Sequence, residues 1–226
     1  MSQKGSLFVV ATPIGNLSDV TYRAIDILSS VDIILAEDTR KSSIFLKHYS
    51  IKTKMLSYHD FTSDEKIISF IDLLESGKRI ALISDAGTPT ISDPGFRLIQ
   101  LCVEKEIQCI PIPGPSSITA ALSIAGLPTD RFTFIGFLPH KKGRVKKINS
   151  LLGIDHTVIL FESPHRLQKT LNELLEILGD RPVVICRELT KLYEEIIRGN
   201  LSELIVELAN KKLKGEFVLL IGKNNE

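Results

Sequence analysis

Short apolar runs and amphipathic stretches take turns along the whole chain. Runs rich in Val, Ile, Leu and Phe at 7–11, 33–36, 79–84, 109–112, 132–137, 157–161, 183–187, 194–198 and 216–222 predict strands. Amphipathic stretches near 20–30, 40–48, 63–76, 94–105, 117–126, 143–152, 164–178 and 201–211 predict helices. This alternation argues an α/β protein. Boundary signals sharpen several elements. Thr62-x-x-Glu65 reads as a capping box and Gly77 as the stop of the same helix. Ser163-Pro164 reads as an N-cap followed by proline at the first helical position, with Gly179 at the far end. Asp93-Pro94 reads the same way. The Pro-Ile-Pro-Gly-Pro-Ser-Ser run at 111–117 suits neither a helix nor a central strand. It predicts an N-terminal α/β domain, 1–116, and a C-terminal α/β domain, 117–226.

Composition bounds the possibilities. A chain of 226 residues, 43% of them hydrophobic, suits one large domain or two modest ones with real cores. A net charge of +1 gives no indiscriminate pull toward nucleic acid or membrane. The exception is local: residues 140–147 carry Lys141, Lys142, Arg144, Lys146 and Lys147. Such a run is either a solvated face or a phosphate contact. Cys102, Cys109 and Cys186 are odd in number and set in apolar surroundings, which predicts reduced core thiols and no metal site. No apolar run reaches the roughly 18 residues of a membrane span. The first residues, Met1-Ser2-Gln3-Lys4, lead straight into a strand with no signal peptide. A cytoplasmic protein is expected.

Candidate chemistry gathers at strand ends. Residues 84–95, Ser-Asp-Ala-Gly-Thr-Pro-Thr-Ile-Ser-Asp-Pro-Gly, follow a buried-strand pattern and run into a helix. Loops of this kind bring backbone amides against polar ligands, and open α/β sheets bind ligands there. Neither a Walker loop nor a Gly-x-Gly-x-x-Gly fingerprint is present, which argues against a nucleoside triphosphate or NAD. Thr12-Pro13-Ile14-Gly15-Asn16-Leu17 leaves the first strand, where Asn16 or Ser18 also suits a helix start. Glu37-Asp38-Thr39-Arg40 leaves the second, and Asp38 or Thr39 suits a cap as well as chemistry. An arginine there suits phosphate, and a carboxylate suits a proton. Ser116 and Ser117 suit the cap of the helix that follows. Ser163 suits an N-cap within Phe161-Glu162-Ser163-Pro164-His165-Arg166.

Taken in order, those five motifs resemble the tetrapyrrole-methylase superfamily. Their combination is most similar to the small-subunit ribosomal RNA methyltransferase I family. The resemblance implies two α/β domains with S-adenosylmethionine held in the cleft between them. It implies cofactor contacts from Pro13, Asp85, Ala86, Gly87, Thr88, Ser116, Ser117 and Phe161. It also implies methylation of a cytidine ribose 2′-hydroxyl in 16S rRNA, within the 30S particle, by a homodimer. One carboxylate among Glu37, Asp38 and Glu162 is the expected base. Arg40, Lys141, Lys142, Arg144 and Arg166 are the expected RNA contacts. Many members carry a small helical C-terminal extension, whereas this sequence closes with Gly222-Lys223-Asn224-Asn225-Glu226. Competing readings keep the fold with a tetrapyrrole or protein acceptor, or make the chain a non-catalytic RNA-binding module.

Overall fold

A computed structural model describes residues 4–223. Met1–Gln3 of the expected lead-in, and Asn224–Glu226 of the closing segment, lie outside the described residues. The chain divides into two compact units, Met1–Ser116 and Ser117–Glu226.

The first unit runs β1 (Ser6–Val10), α1 (Tyr22–Ser30), β2 (Ile33–Ala36), α2 (Thr39–His48), β3 (Lys54–Ser57), α3 (Asp64–Glu75), β4 (Ile80–Ile83), α4 (Phe96–Glu104) and β5 (Gln108–Ile112). Its five strands are all parallel, in the order β3-β2-β4-β1-β5. Helices cover both faces of such a sheet, so its central strands are apolar at every position. β2 and β4 are buried throughout. Leu7, Leu35 and Leu82 pack with Ile67, Phe70, Leu74 and Leu98 on one face. Val10, Ile34 and Ile83 pack with Leu28 and Phe45 on the other.

β3 was not predicted. Its residues, Lys-Met-Leu-Ser, hold no β-branched side chain, and the strand forms one edge of the sheet. Three boundaries also differ from expectation. Ser63 rather than Thr62 caps α3, its hydroxyl accepting from Lys66 N, while Thr62 Oγ1 accepts from His59 N at 2.8 Å. α4 starts at Phe96 behind Gly95, with no side-chain cap, so Asp93 is not an N-cap. Asn16 caps only a single 3-10 turn, and Thr21 caps α1.

The second unit contains α5 (Ser117–Ala125), β6 (Phe132–Phe137), α6 (Arg144–Asn149), β7 (Thr157–Glu162), α7 (Leu167–Leu178), β8 (Pro182–Arg187), β9 (Glu195–Asn200), α8 (Leu201–Leu208) and β10 (Phe217–Ile221). The sheet order is β6-β7-β10-β8-β9. β6 and β7 are parallel, and β10 is antiparallel to both β7 and β8. Phe-Val-Leu-Leu-Ile of β10 is wholly buried at the centre. β6 is bulged between Phe134 and Phe137, where Gly136 adopts φ +64°. α7 begins three residues beyond Pro164, with Arg166 at its N-cap and Gly179 ending it as expected.

Candidate active site

In the first unit, β1 connects leftward past β4 to β2 and β4 connects rightward past β1 to β5, so the connections of these neighbours leave in opposite directions. The carboxyl ends of β1 and β4 therefore form the switch point at which open sheets accept ligands. The backbone there is stitched. Thr12 N donates to Gly87 O at 2.9 Å and Gly87 N donates to Thr12 O at 3.0 Å. Thr12 Oγ1 donates to Ser84 O at 3.3 Å, and Thr88 Oγ1 to Pro115 O at 3.5 Å. Gly87 has φ +75°, and a Cβ on it would meet Ile14 Cγ2 at 3.3 Å. The loops carrying Pro13, Asp85–Thr88 and Pro115 thus come together, with Ser116 next in the chain and Ser117 opening α5. Main chain approaches main chain at Gly87, leaving the rim to small and polar groups.

The same loop is strained further on. Thr90 and Ser92 take φ +74° and +63°, a region costly for side chains with a Cβ. Gly95, at φ +144°, lies where a Cβ would strike Thr90 Cγ2 at 2.7 Å. This turn carries Asp93 back toward the ends of β2 and β4.

An excess of carboxylates results. Asp85 Oδ1 accepts from Asp38 N at 3.0 Å, and its Oδ2 pairs with Lys41 Nζ at 2.7 Å. Asp38 caps α2 and also binds the Arg40 guanidinium, which holds its carboxyl down to about 2. Burial, then the Asp85 charge, pushes the Glu37 carboxyl up. Burial, followed by the charges of Glu37 and Asp85, pushes Asp93 up to about 7. Lys41 and Asp93 were missed as site residues: one hid behind Arg40, the other behind a cap-like Asp-Pro pair. The donor set suits a ligand that is cationic at one point and offers hydroxyl or amino groups elsewhere.

The second unit holds charges of a different kind. Glu162 is fully enclosed, its Oε1 accepting from Ser163 N at 2.7 Å and Arg166 Nη2 at 2.8 Å. Its Oε2 accepts from Thr170 Oγ1 at 2.6 Å. Arg144 donates to Thr170 Oγ1 and Glu173 Oε2, both at 2.6 Å, and to Pro139 O. Arg144 is only 3% exposed, so its place among the RNA contacts is corrected: it neutralises an interior cluster. Arg166 spends its guanidinium on Glu162, Ser163 Oγ and Leu138 O. Lys141, Lys142, Lys146 and Lys147 remain exposed. Phe161 meets Phe134 and Phe137 edge-on, ring centroids 4.9 and 5.5 Å apart.

Among the described residues, no helix is long and apolar enough to cross a membrane. The three cysteines are free, Cys102 and Cys186 buried and Cys109 half-buried.

Comparison with known proteins places these motifs in context. The family model of tetrapyrrole (corrin/porphyrin) methylases matches residues 6–205. Ribosomal RNA small subunit methyltransferase I of Halalkalibacterium halodurans is 49% identical over 224 residues, covering 99% of this chain and 78% of that one. The protein of the same name from Thermotoga maritima is 46% identical over 220 residues, covering 97% of this chain and 99% of that one. Among solved structures, a cobalt precorrin-4 methyltransferase superposes with a TM-score of 0.72 at 19% identity, over 96% of this chain and 94% of its own. Uroporphyrin-III C-methyltransferase of Thermus thermophilus, complexed with S-adenosyl homocysteine, gives 0.67 at 16%, over 96% and 97%. At those identities the structures establish the fold alone.

Proposed function

The chain belongs to the tetrapyrrole (corrin/porphyrin) methylases and, within them, to the ribosomal RNA small subunit methyltransferase I family; from that premise we propose that it methylates the 2′-hydroxyl of a cytidine ribose in 16S rRNA. It is an S-adenosylmethionine-dependent methyltransferase acting on ribosomal RNA. The observation that carries this reading is near-full-length identity of 46–49% to curated rRNA enzymes. The 30S particle as substrate, a homodimeric state and a cytoplasmic location belong to the same proposal.

The residues present fit the cofactor. A sulfonium and an ammonium group suit the carboxylate excess formed by Glu37, Asp85 and Asp93, and the stitched Thr12–Gly87 backbone suits a close-fitting polar ligand. Pro13, Asp85, Ala86, Gly87, Thr88, Ser116 and Ser117 would hold it, with Phe161 offering an aromatic face. When bound, the cofactor supplies an activated methyl group, so no metal or covalent enzyme intermediate is required. The chain's own contribution is alignment, worth about 7–11 kcal/mol in favourable cases, and acceptance of the hydroxyl proton. Arg40, Lys141 and Lys142 are exposed cations suited to the phosphate backbone. Among the proposed bases, Glu37 retains the least committed carboxylate, whereas Asp38 is tied to Arg40 and Glu162 is sealed by three donors with Arg144 3.8 Å away.

The test is transfer of label from S-adenosylmethionine to under-methylated 30S particles, followed by mapping of the modified sugar. A 2′-O-methylcytidine is the expected product. Label appearing only on protein or on a tetrapyrrole would overturn the reading.

A further inference from the structure

We infer that Glu162 is a positioning residue for the RNA: through Arg166 and Arg144 it holds the main chain at Leu138 and Pro139, and so fixes the exposed tip that carries Lys141 and Lys142. Resting on the rRNA methyltransferase reading above, this gives Glu162 a task other than proton transfer.

β6 and β7 are parallel, so the chain beyond Phe137 and the Glu162 carboxylate emerge at one edge of the second sheet. From there the two carboxylate oxygens lead by separate arms to two consecutive carbonyls. Oε1 accepts from Arg166 Nη2 at 2.8 Å, and Arg166 Nη1 donates to Leu138 O at 3.2 Å. Oε2 accepts from Thr170 Oγ1 at 2.6 Å, and Thr170 Oγ1 accepts from Arg144 Nη2 at 2.6 Å. Arg144 Nη1 then donates to Pro139 O at 3.2 Å. A guanidinium is a planar fork, so fixing some of its N–H groups on an acid or hydroxyl fixes the direction of the rest. Glu173, accepting from Arg144 Nε at 2.6 Å, and Ser163 Oγ, accepting from Arg166 Nε at 3.3 Å, steady the two forks further.

What the forks hold is short and charged. Leu138 is buried and Pro139 half-buried, whereas His140, Lys141, Lys142 and Gly143 are exposed before Arg144 turns inward to open α6. Within that stretch the main chain closes by Arg144 N donating to Lys141 O at 3.3 Å. The tip thus has little packing of its own, and its direction comes from the clamp beneath it. A buried ion cluster is a poor means of stabilising a fold, since apolar residues of similar volume often do as well or better. It is a good means of aiming main chain. Lysines already aimed at a phosphate backbone bind it without the ordering cost that a loose loop would add.

A double-mutant cycle tests the assignment. Glu162→Gln, which keeps the shape and removes the charge, and Arg166→Met each break the clamp. Lys141→Ala with Lys142→Ala removes the cations, and further proteins combine the lysine pair with each clamp change. Binding of under-methylated 30S particles is measured at several salt concentrations. Single-turnover methylation against particle concentration and calorimetric titration with S-adenosylmethionine accompany it. The lysine pair should weaken particle binding and shrink the logarithmic salt slope by about 2. Each clamp variant should bind particles about 10-fold more weakly while keeping its cofactor affinity. It should raise the particle concentration giving half the maximal rate more than it lowers that rate. Without the two lysines, the clamp changes should weaken binding no further, because residues that act through one another are not additive. A merely structural role would weaken both backgrounds alike. Arg166→Lys, which keeps a cation beside Glu162 without the fork, carries the same cycle if the other two do not fold.

Equal losses in the two backgrounds, wild-type binding by the lysine pair, or a loss confined to maximal rate or to cofactor affinity would each overturn the inference. A wild-type protein that binds cofactor but leaves RNA unmethylated sinks the substrate reading and this inference with it. An active wild type with an additive cycle sinks the inference alone.

Discussion

Two acidic clusters in this molecule share a residue type and little else. Glu37, Asp85 and Asp93 sit at strand ends of the first unit, outnumber their nearby cation Lys41, and include two carboxyls whose protonation burial favours. Glu162 and Glu173 sit in the second unit with Arg144, Arg166 and Thr170, and nearly every polar atom meets a partner within 2.6–3.3 Å. The second cluster is balanced and sealed, so it has no need of anything outside the chain. The first is unbalanced and half-open, so a cation would relieve it. Charge balance, more than the presence of acids, separates a scaffold from a site.

The sharpest way to break that contrast is to unbalance the sealed cluster. Glu162→Ala leaves the half-buried Arg166 without its carboxylate and the buried Arg144 with Glu173 alone. Removing one partner of a buried pair typically costs about 3–5 kcal/mol. Urea unfolding should show that loss, and little change would mean that water already reaches the cluster. Replacing Glu162, Arg144 and Arg166 together by apolar residues of similar volume should cost less, since only Glu173, which keeps Lys169 at 3.7 Å, loses a close partner.

A smaller effect is expected from the open cluster, and it has a sign. Asp93 has its folded value raised from 3.8 to about 7. Between those values the folded chain holds a proton that the unfolded chain has lost. Stability therefore falls as pH rises through that window and changes no further from this group above it. Asp38 acts in the opposite direction and elsewhere: held down to about 2, it gives stability that is lost as pH falls below its ordinary 3.8. Glu37→Gln removes the largest of the neighbouring charges acting on Asp93. Urea midpoints measured across pH should then decline less steeply toward neutrality. An unaltered slope would show that the two carboxyls do not sense each other.

How far the sequence revealed this contrast follows from what pattern can encode. Periodicity and turn residues marked nine of the ten strands among the described residues, because burial of Ile80–Ile83 or Phe217–Ile221 is written directly in apolar runs. Lys54–Ser57 was missed because an edge strand with intermediate burial needs little apolar signal. The strand-end loops were legible too, since glycine, threonine and aspartate cluster there. Side-chain partners were not. Arg144 stood in a run of five cations, and only tertiary packing shows that it turns inward to Glu173 and Thr170. Ser163-Pro164 looked like a helix start, yet the Glu162 carboxylate takes Ser163 N and the Arg166 guanidinium, and the helix begins only at Leu167. Asp93 looked like a cap because sequence shows its neighbour Pro94 but hides the positive φ of Ser92 and Gly95 that redirects it.

The smallest expected effect concerns a third kind of pair, fully at the surface. Arg40 is 90% exposed and binds the Asp38 carboxylate at 2.9 Å. Water screens such a pair, and holding a long side chain in one place offsets most of its attraction. Asp38 would keep its cap in Arg40→Ala, because the main-chain N–H of residue 40 remains to donate to Oδ1. Its carboxyl should rise from about 2 toward the ordinary value and stop short of it. Folding stability at neutral pH should stay at the wild-type level. The RNA should notice instead. If Arg40 contacts a phosphate, affinity should drop for every RNA sequence alike, and the logarithmic salt slope should shrink by about 1. A destabilised fold with an unchanged salt slope would move Arg40 out of the RNA-facing set and into the scaffold, alongside Arg144.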